Sequence, residues 1–364
     1  MKNNNFHNSF LLNGKSFSTP DEIIAYSKTI SSSIHAFLKD WFSQDDFIHI
    51  KTSGSTGTPK IIRLQKKQMK NSAEMTGDFF NLQEKTTALL CLSVDYIAGK
   101  MMLVRALTLG WQLDVVEPNS NALENNLKQY DFSAFVPLQL ENSLENINQI
   151  KMLIVGGGKV SKSLQDKILN IKTEVFATYG MTETITHIAI KKLNNFEQVI
   201  LREVEKSHFK ILPNIKISKD SRNCLVIKAP KLSEETIITN DIVELISETE
   251  FRLLGRTDNV INSGGIKLHP ESIEDKLSEI IDNRFFVAGI TNEKLGEKLI
   301  LVVEHSVIST EMEKSLKLLI QKIKNLKTLS KFEIPKEIYF VESFVETETG
   351  KIQRKATLQK IFTN

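Results

Sequence analysis

The chain has 364 residues, 41% of them hydrophobic, and its 47 basic and 44 acidic side chains leave a formal net charge of +3. This length and apolar content support a large core divided into two or more domains, and a charge so near neutrality argues against nucleic acid as a partner. Cys91 and Cys224 stand far apart without a disulfide or zinc pattern, the polar start at Met1 to His7 lacks a signal-peptide core, and no apolar run approaches a membrane span, so a cytoplasmic chain with reduced cysteines and no membrane insertion is expected.

The first strong signal in chain order is Thr52-Ser53-Gly54-Ser55-Thr56-Gly57-Thr58-Pro59-Lys60, entered from apolar residues 47–50 and left through 61–64, which predicts a loop between two strands. Glycines let backbone N–H groups converge on an anion, hydroxyls add donors and Lys60 adds a point charge, a combination suited to phosphate. The run is not a P-loop, which needs G-x-x-x-x-G-K-[ST] opening a helix. A plain Ser/Gly/Thr spacer would leave the lysine unexplained.

Short apolar runs then alternate with longer amphipathic ones at 87–92, 97–109, 112–116, 132–136, 152–155 and 175–178, the pattern of βα units forming a parallel sheet covered by helices. Gly156-Gly157-Gly158 ends one of these strands as a turn. Tyr179-Gly180-Met181-Thr182-Glu183-Thr184 follows another; locally it reads as a helix start capped by Thr182, although one carboxylate beside phosphates also suits a hard cation. After about residue 195, runs at 209–217 and 224–227 predict antiparallel hairpins. Asp241 in Thr239-Asn240-Asp241 can form an Asx-turn or accept from two neighbouring hydroxyls.

From Asp258 a small α+β unit is expected, with a turn at Ser263-Gly264-Gly265 and an amphipathic helix opened by Pro270 and running through Ile273, Leu277 and Ile280. Strands at 285–290 and 299–303 and a helix over 310–327 follow. Thr349-Gly350-Lys351-Ile352-Gln353-Arg354-Lys355 is a basic cluster near the end, and Lys66-Lys67 and Lys191-Lys192 read as solvated faces.

Taken in order, the segments at 52–60, 179–184, 239–241, 255–274 and 349–355 resemble the signatures of the adenylate-forming superfamily of acyl-CoA synthetases, carrier-protein adenylation domains and luciferases. The resemblance runs from about residue 45 to the end. It implies an α/β fold: a large N-terminal domain, 1–257, with a mostly parallel sheet, helices and a β-rich subdomain, then a small mobile α+β domain, 258–364, hinged near Asp258. It also implies ATP, Mg²⁺ and coenzyme A. Thr52, Ser53, Gly54, Ser55, Thr56, Gly57, Thr58 and Lys60 would hold phosphates, and Tyr179 would stack on adenine beside Gly157, Gly180 and Met181. Thr182 would meet the α-phosphate, Glu183 the metal, and Asp241 and Arg256 the ribose. Lys351 would enter for adenylation, and Gly264 and Gly265 would line the pantetheine path.

Compact o-succinylbenzoate-CoA ligases of menaquinone synthesis resemble the chain most. Residues 93–110 look like the helix that relatives open with Pro-x-x-His-x-x-Gly, with Tyr96 in place of the histidine, and Arg105 falls where those ligases have an arginine. Arg105, Gly158 and His187 are therefore acyl-pocket candidates; a surface ion pair for Arg105 and a satisfied core position for His187 are the plain alternatives. Lys159 is unusual after its three glycines. Most members carry a long subdomain where this chain has about fifty residues before the phosphate loop, so either the protein is a minimal member or a partner, a second copy included, covers the sheet face. The implied activity is an ATP-dependent carboxylic acid-CoA ligase acting on small molecules, with a carrier-protein-loading enzyme and a non-catalytic nucleotide-binding protein as alternatives.

Overall fold

The computed structural model describes residues 6–51, 61–124, 126–194, 208–305, 311–347 and 352–363. A short hairpin, β1 (Leu11–Leu12) and β2 (Lys15–Ser16), precedes two helices, α1 (Pro20–Ser27) and α2 (Ser32–Trp41). β3 (Phe47–Lys51) and β4 (Ile61–Gln65) pair antiparallel with Lys51 opposite Ile61, so the two strands expected around the phosphate loop are present. Helix α3 (Lys66–Phe80) leads into β5 (Thr87–Leu90), α4 (Ile97–Leu109), β6 (Gln112–Val115), β7 (Tyr130–Phe135), α5 (Pro137–Asn142), β8 (Ile150–Val155), α6 (Lys162–Ile168) and β9 (Glu174–Gly180). The next strands are β10 (His187–Lys192), β11 (Phe209–Ile211), β12 (Lys216–Lys219), β13 (Cys224–Lys228), β14 (Ile237–Leu245) and β15 (Glu250–Arg256). The last part holds β16 (Ile261–Ser263), β17 (Ile266–Leu268), α7 (Pro270–Leu277), β18 (Phe285–Asn292), β19 (Gly296–Glu304), α8 (Glu311–Asn325), β20 (Glu337–Val341) and α9 (Arg354–Phe362).

One sheet runs in the order β12-β13-β14-β15-β11-β10-β9-β8-β7-β5-β6-β1-β2. β1, β6, β5, β7, β8 and β9 are parallel to their neighbours in this block, whereas β9 to β10 and every pair beyond it are antiparallel. Successive side chains of a strand point to opposite faces, and here both faces are packed. Ala88, Leu90, Phe132, Ala134, Ile154 and Phe176 join the core under α3 and α4, while Leu89, Cys91, Phe135, Leu153, Val155 and Val175 join a second core with α5 and α6. Strands buried on both sides read as continuous apolar runs, which is how these runs appear in the sequence.

Phe6, Phe10, Leu12, Ile23, Ile34, Phe37, Leu38 and Trp41 belong to the first core, so the residues before β3 themselves cover that face. Separate cores serve the later part: Ile261, Leu268, Ile273, Leu277 and Val287 in one, Phe286, Ile300, Val302 and Phe344 in the other. Cys91 and Cys224 are buried and free. Among the described residues no helix is long and apolar enough to cross a membrane.

Three local expectations change. α7 begins at Pro270 but stops at Leu277, leaving Ile280 in the following turn. Thr182 does not cap: residues Thr182–Thr184 form one 3-10 turn, and Thr184 Oγ1 receives the Met181 N–H at 3.0 Å. Lys191 is not a solvated face, because its ammonium lies over the Phe209 ring, 5.5 Å from the centroid, and burial lowers its pKa.

Candidate active site

Crevices outside the carboxyl ends of parallel strands are where open α/β sheets place ligands, and the candidate residues gather at those ends. β8 runs into Gly156-Gly157-Gly158, with Gly157 at φ +80°, a conformation glycine adopts without Cβ strain. Thr178 Oγ1 donates to Val155 O at 3.1 Å and ties this loop to the end of β9. Gly158 is exposed beside Pro137 of α5. Tyr179 and Gly180 close β9, and a Cβ on Gly180 would strike the Thr186 carbonyl, so this position requires glycine. Met181 and Thr182 are partly exposed; Glu183 is exposed on the 3-10 turn, and no described residue hydrogen-bonds its carboxylate.

The β14–β15 ladder sets Asp241 opposite Arg256. Arg256 Nη1 donates to Asp241 Oδ1 at 3.0 Å, and Tyr179 Oη donates to Asp241 Oδ2 at 2.6 Å. Three segments far apart in sequence thus meet at one carboxylate, and Asp241 is a strand residue, not an Asx-turn. Burial, followed by the Asp241 charge, pushes the Tyr179 phenol well above its ordinary pKa, so it stays a donor. Partial burial opposes the charge on Arg256, but the hydrogen bond to Asp258 and the charge of Asp241 hold its pKa above the usual value. Arg256 Nη2 reaches Asp258 Oδ2 at 3.0 Å, and Asn240 Nδ2 lies 3.3 Å from Asp258 Oδ1. The Tyr179 ring packs edge-on against Phe251, centroids 5.1 Å apart, and is 8% exposed.

The opposite end of the same turn is buried. Ile185, fully buried, sits at φ 67°, ψ −65°, and Thr186 N donates to Thr184 O at 2.8 Å. This is the rare, strained γ-turn, in a β-branched residue for which positive φ is a marked outlier. It aims Thr186 Oγ1 at Ser72 Oγ, 2.9 Å away, and toward Arg105 Nη2 at 3.4 Å. Arg105 lies within an unbroken buried stretch of α4, is 2% exposed, and bonds Thr76 Oγ1 at 3.3 Å. No described carboxylate pairs with it, and burial pulls its pKa down to about 10. The surface ion pair is therefore ruled out. His187 is buried with Nε2 lacking a partner among the described residues, and burial, then the charge of Arg105, lower its pKa to about 3. It is a core histidine, but not a satisfied one.

Ser72, Thr76 and Thr186 went unrecognised in the sequence. Ser72 and Thr76 stand four apart on α3 and so share a face, the one available signal; Thr186 needed the γ-turn to reach them. Gly264 and Gly265 form the turn between β16 and β17, at φ +60° and +80° and exposed. Thr52, Ser53, Gly54, Ser55, Thr56, Gly57, Thr58, Lys60 and Lys351 lie outside the described residues.

A magnesium ion with an ATP ligand needs few protein oxygens, since it keeps waters and phosphates and takes one or two carboxylates. Among the described residues no cluster of three or more potential ligands exists, and the unpartnered, exposed Glu183 fits such a sparse site.

The model of the AMP-binding enzyme family matches residues 16–217, beginning ahead of the point near residue 45 expected from the motifs. The 2-succinylbenzoate-CoA ligase of Staphylococcus epidermidis is 26% identical over 335 residues, 84% of this chain and 68% of the relative. A crystal structure of an AMP-forming acyl-CoA synthetase/AMP-acid ligase II-like protein from Dyadobacter fermentans is 36% identical, covers 91% of this chain and 95% of its own, and superposes with a TM-score of 0.59. The Bacillus subtilis o-succinylbenzoate-CoA synthetase bound to its acyl-adenylate shares the fold at a TM-score of 0.70 and 20% identity, over 84% of this chain and 68% of its own.

Proposed function

Because the chain belongs to the AMP-binding enzyme family, we propose that it is an ATP-dependent, AMP-forming acid-CoA ligase whose acid is o-succinylbenzoate, which would place it in menaquinone synthesis. The observation that carries the choice of acid is Arg105, a buried guanidinium that among the described residues has no carboxylate of its own, near a His187 Nε2 that has no partner among them either. A buried charge without a partner is costly, and a substrate with a second carboxylate would supply the missing one. The ligases named among its relatives act on such an acid.

Adenylation brings an acid carboxylate against the α-phosphate of ATP, two anions that need preorganised positive charge and donors. In this reading the 52–60 loop holds the phosphates, Thr182 donates to the α-phosphate, and Glu183 holds Mg²⁺, which supplies charge neutralisation when bound. Asp241, fixed by Tyr179 and Arg256, accepts from the ribose hydroxyls, and Arg105 orients the acid through its remote carboxylate. The carboxylate oxygen forms the new P–O bond and pyrophosphate leaves. The domain from 258 onward then turns about Asp258, withdrawing Lys351 and presenting Gly264 and Gly265, and the CoA thiolate attacks the acyl carbon with AMP as leaving group.

Acid-dependent pyrophosphate release tests the acid: o-succinylbenzoate should outpace benzoate and succinate, and equal rates for all three would refute it. Thioester formation with CoA and not with a phosphopantetheinylated carrier separates a ligase from a carrier-loading enzyme. Lys351→Ala should slow pyrophosphate release roughly 10²- to 10³-fold while supplied acyl-adenylate is still converted to thioester; equal loss in both steps would refute the division of labour.

A further inference from the structure

Lys159 follows the three glycines directly, and its ammonium bonds the Asp275 carboxylate of α7. The same face of α7 carries two more acids. Glu274 accepts from Val287 N at 2.8 Å and from Arg354 Nη2 at 3.0 Å, and Glu271 lies 3.6 Å from Arg354. Glu271 Oε2 is buried without a partner among the described residues and abuts Gly255, where a Cβ would come within 2.5 Å. Three carboxylates thus face two cations, Lys159 from the site loop and Arg354, which stands three places after Lys351 in sequence. The Gly264-Gly265 turn is exposed, and a Cβ on Gly265 would meet nothing within 4 Å. In this arrangement α7, which also binds Arg354, is bonded to the glycine loop through Lys159, whereas among the described residues no hydrogen bond joins the Gly264-Gly265 turn to that loop.

We propose that Lys159 is a positioning residue: its contact with Asp275 holds α7 and the attached C-terminal signature against Gly156-Gly157-Gly158 for adenylation, and must break before thioester formation. The inference rests on the two-step ligase reading. The lysine directly after the glycines provides the N-terminal half of the contact. An exposed pair is weak, which suits a contact that opens once per turnover. Stronger attachment would slow the second step.

The test uses the full chain with Lys159→Glu, Asp275→Lys and the double exchange. Each single variant sets like charges face to face and should slow acid-dependent pyrophosphate release roughly ten-fold. Thioester formation from supplied acyl-adenylate should hold or quicken, and the exchange, which re-forms the pair while Glu274 and Glu271 still face position 159, should recover part of the lost pyrophosphate release. A substrate-free readout keeps this separate from the choice of acid: spin labels at Asn119→Cys and Lys294→Cys, both exposed positions, should give a broader interdomain distance distribution in the single variants and the narrow one again in the exchange. Unchanged distances, or equal slowing of both steps without rescue, would overturn the proposal. Absence of pyrophosphate release by the unaltered chain would instead refute the ligase reading, with the distance measurement still deciding the role of Lys159.

Discussion

Replacing Arg105 by methionine should stabilise the free protein while disabling it. A guanidinium whose pKa falls from 12.5 to about 10 is kept charged in the fold at a cost of about 3 kcal/mol, taking 1.36 kcal/mol per tenfold. Its bonds to Thr76 at 3.3 Å and Thr186 at 3.4 Å lie near the outer limit of useful geometry and return about 1 kcal/mol or less each. Both hydroxyls keep another partner, Thr76 donating to Ser72 O at 3.0 Å and Thr186 meeting Ser72 Oγ, so the substitution strands neither. Methionine fills much of the same volume. The net gain is about 1–2 kcal/mol, a rise in Tm of roughly 2–5 °C by calorimetry. With o-succinylbenzoate, losing one partner of a buried ion pair costs about 2–5 kcal/mol, so kcat/KM should fall roughly 30-fold to several thousand-fold with KM for ATP unchanged. A variant that melts lower than the parent and still uses the diacid would refute the reasoning.

His187, fully buried and with its pKa lowered from 6.5 to about 3, binds a proton only in the unfolded chain across that interval. Stability it contributes is complete above pH 6.5 and falls as pH drops, by about 1.4 kcal/mol per pH unit down to pH 3; urea titrations of His187→Gln from pH 4 to 7 should show a slope shallower by about one proton, and an unchanged slope would show that the imidazole is not the group responsible. Tyr179→Phe removes the 2.6 Å bond to Asp241, a charge-assisted contact of about 1.5–3 kcal/mol, and should raise KM for ATP roughly ten-fold or more while leaving kinetics in the acid unaltered; equal changes for both substrates would show that the tyrosine only supports packing.

Much of the fold was legible because it rests on periodicity. The run over 97–109 became α4 with the same bounds, and the apolar runs at 87–92 and 152–155 became strands packed on both faces. Pro270 announced α7 because its missing N–H is one the first helical turn does not use. Convergence of Tyr179, Asp241 and Arg256 followed from motif resemblance; nothing local predicted that Tyr179 would bond Asp241, because that bond depends on β9 and β14 being separated by β10, β11 and β15 in the sheet. The Ser72, Thr76 and Thr186 shell was invisible for a different reason: hydroxyls carry no periodic signature, and Thr186 is turned inward by backbone strain at Ile185 that residue type gives no means to foresee. Lys191 was misread because an ammonium can settle over an aromatic face, a contact that a count of charges does not show.

The γ-turn at Ile185 joins two recognition tasks in a single short piece of chain. Glu183 stands on its exposed side, with Thr186 half-buried and His187 buried on the other, so on the proposed reading triphosphate chemistry and choice of acid are physically yoked. A change that relaxed the turn to admit a different acid would also swing the carboxylate of Glu183, the proposed metal ligand. On that reading, remodelling toward new acids should begin on α3 and α4, at Thr76 and Arg105, and spare Ser72, whose hydroxyl meets Thr186 at 2.9 Å beside the turn.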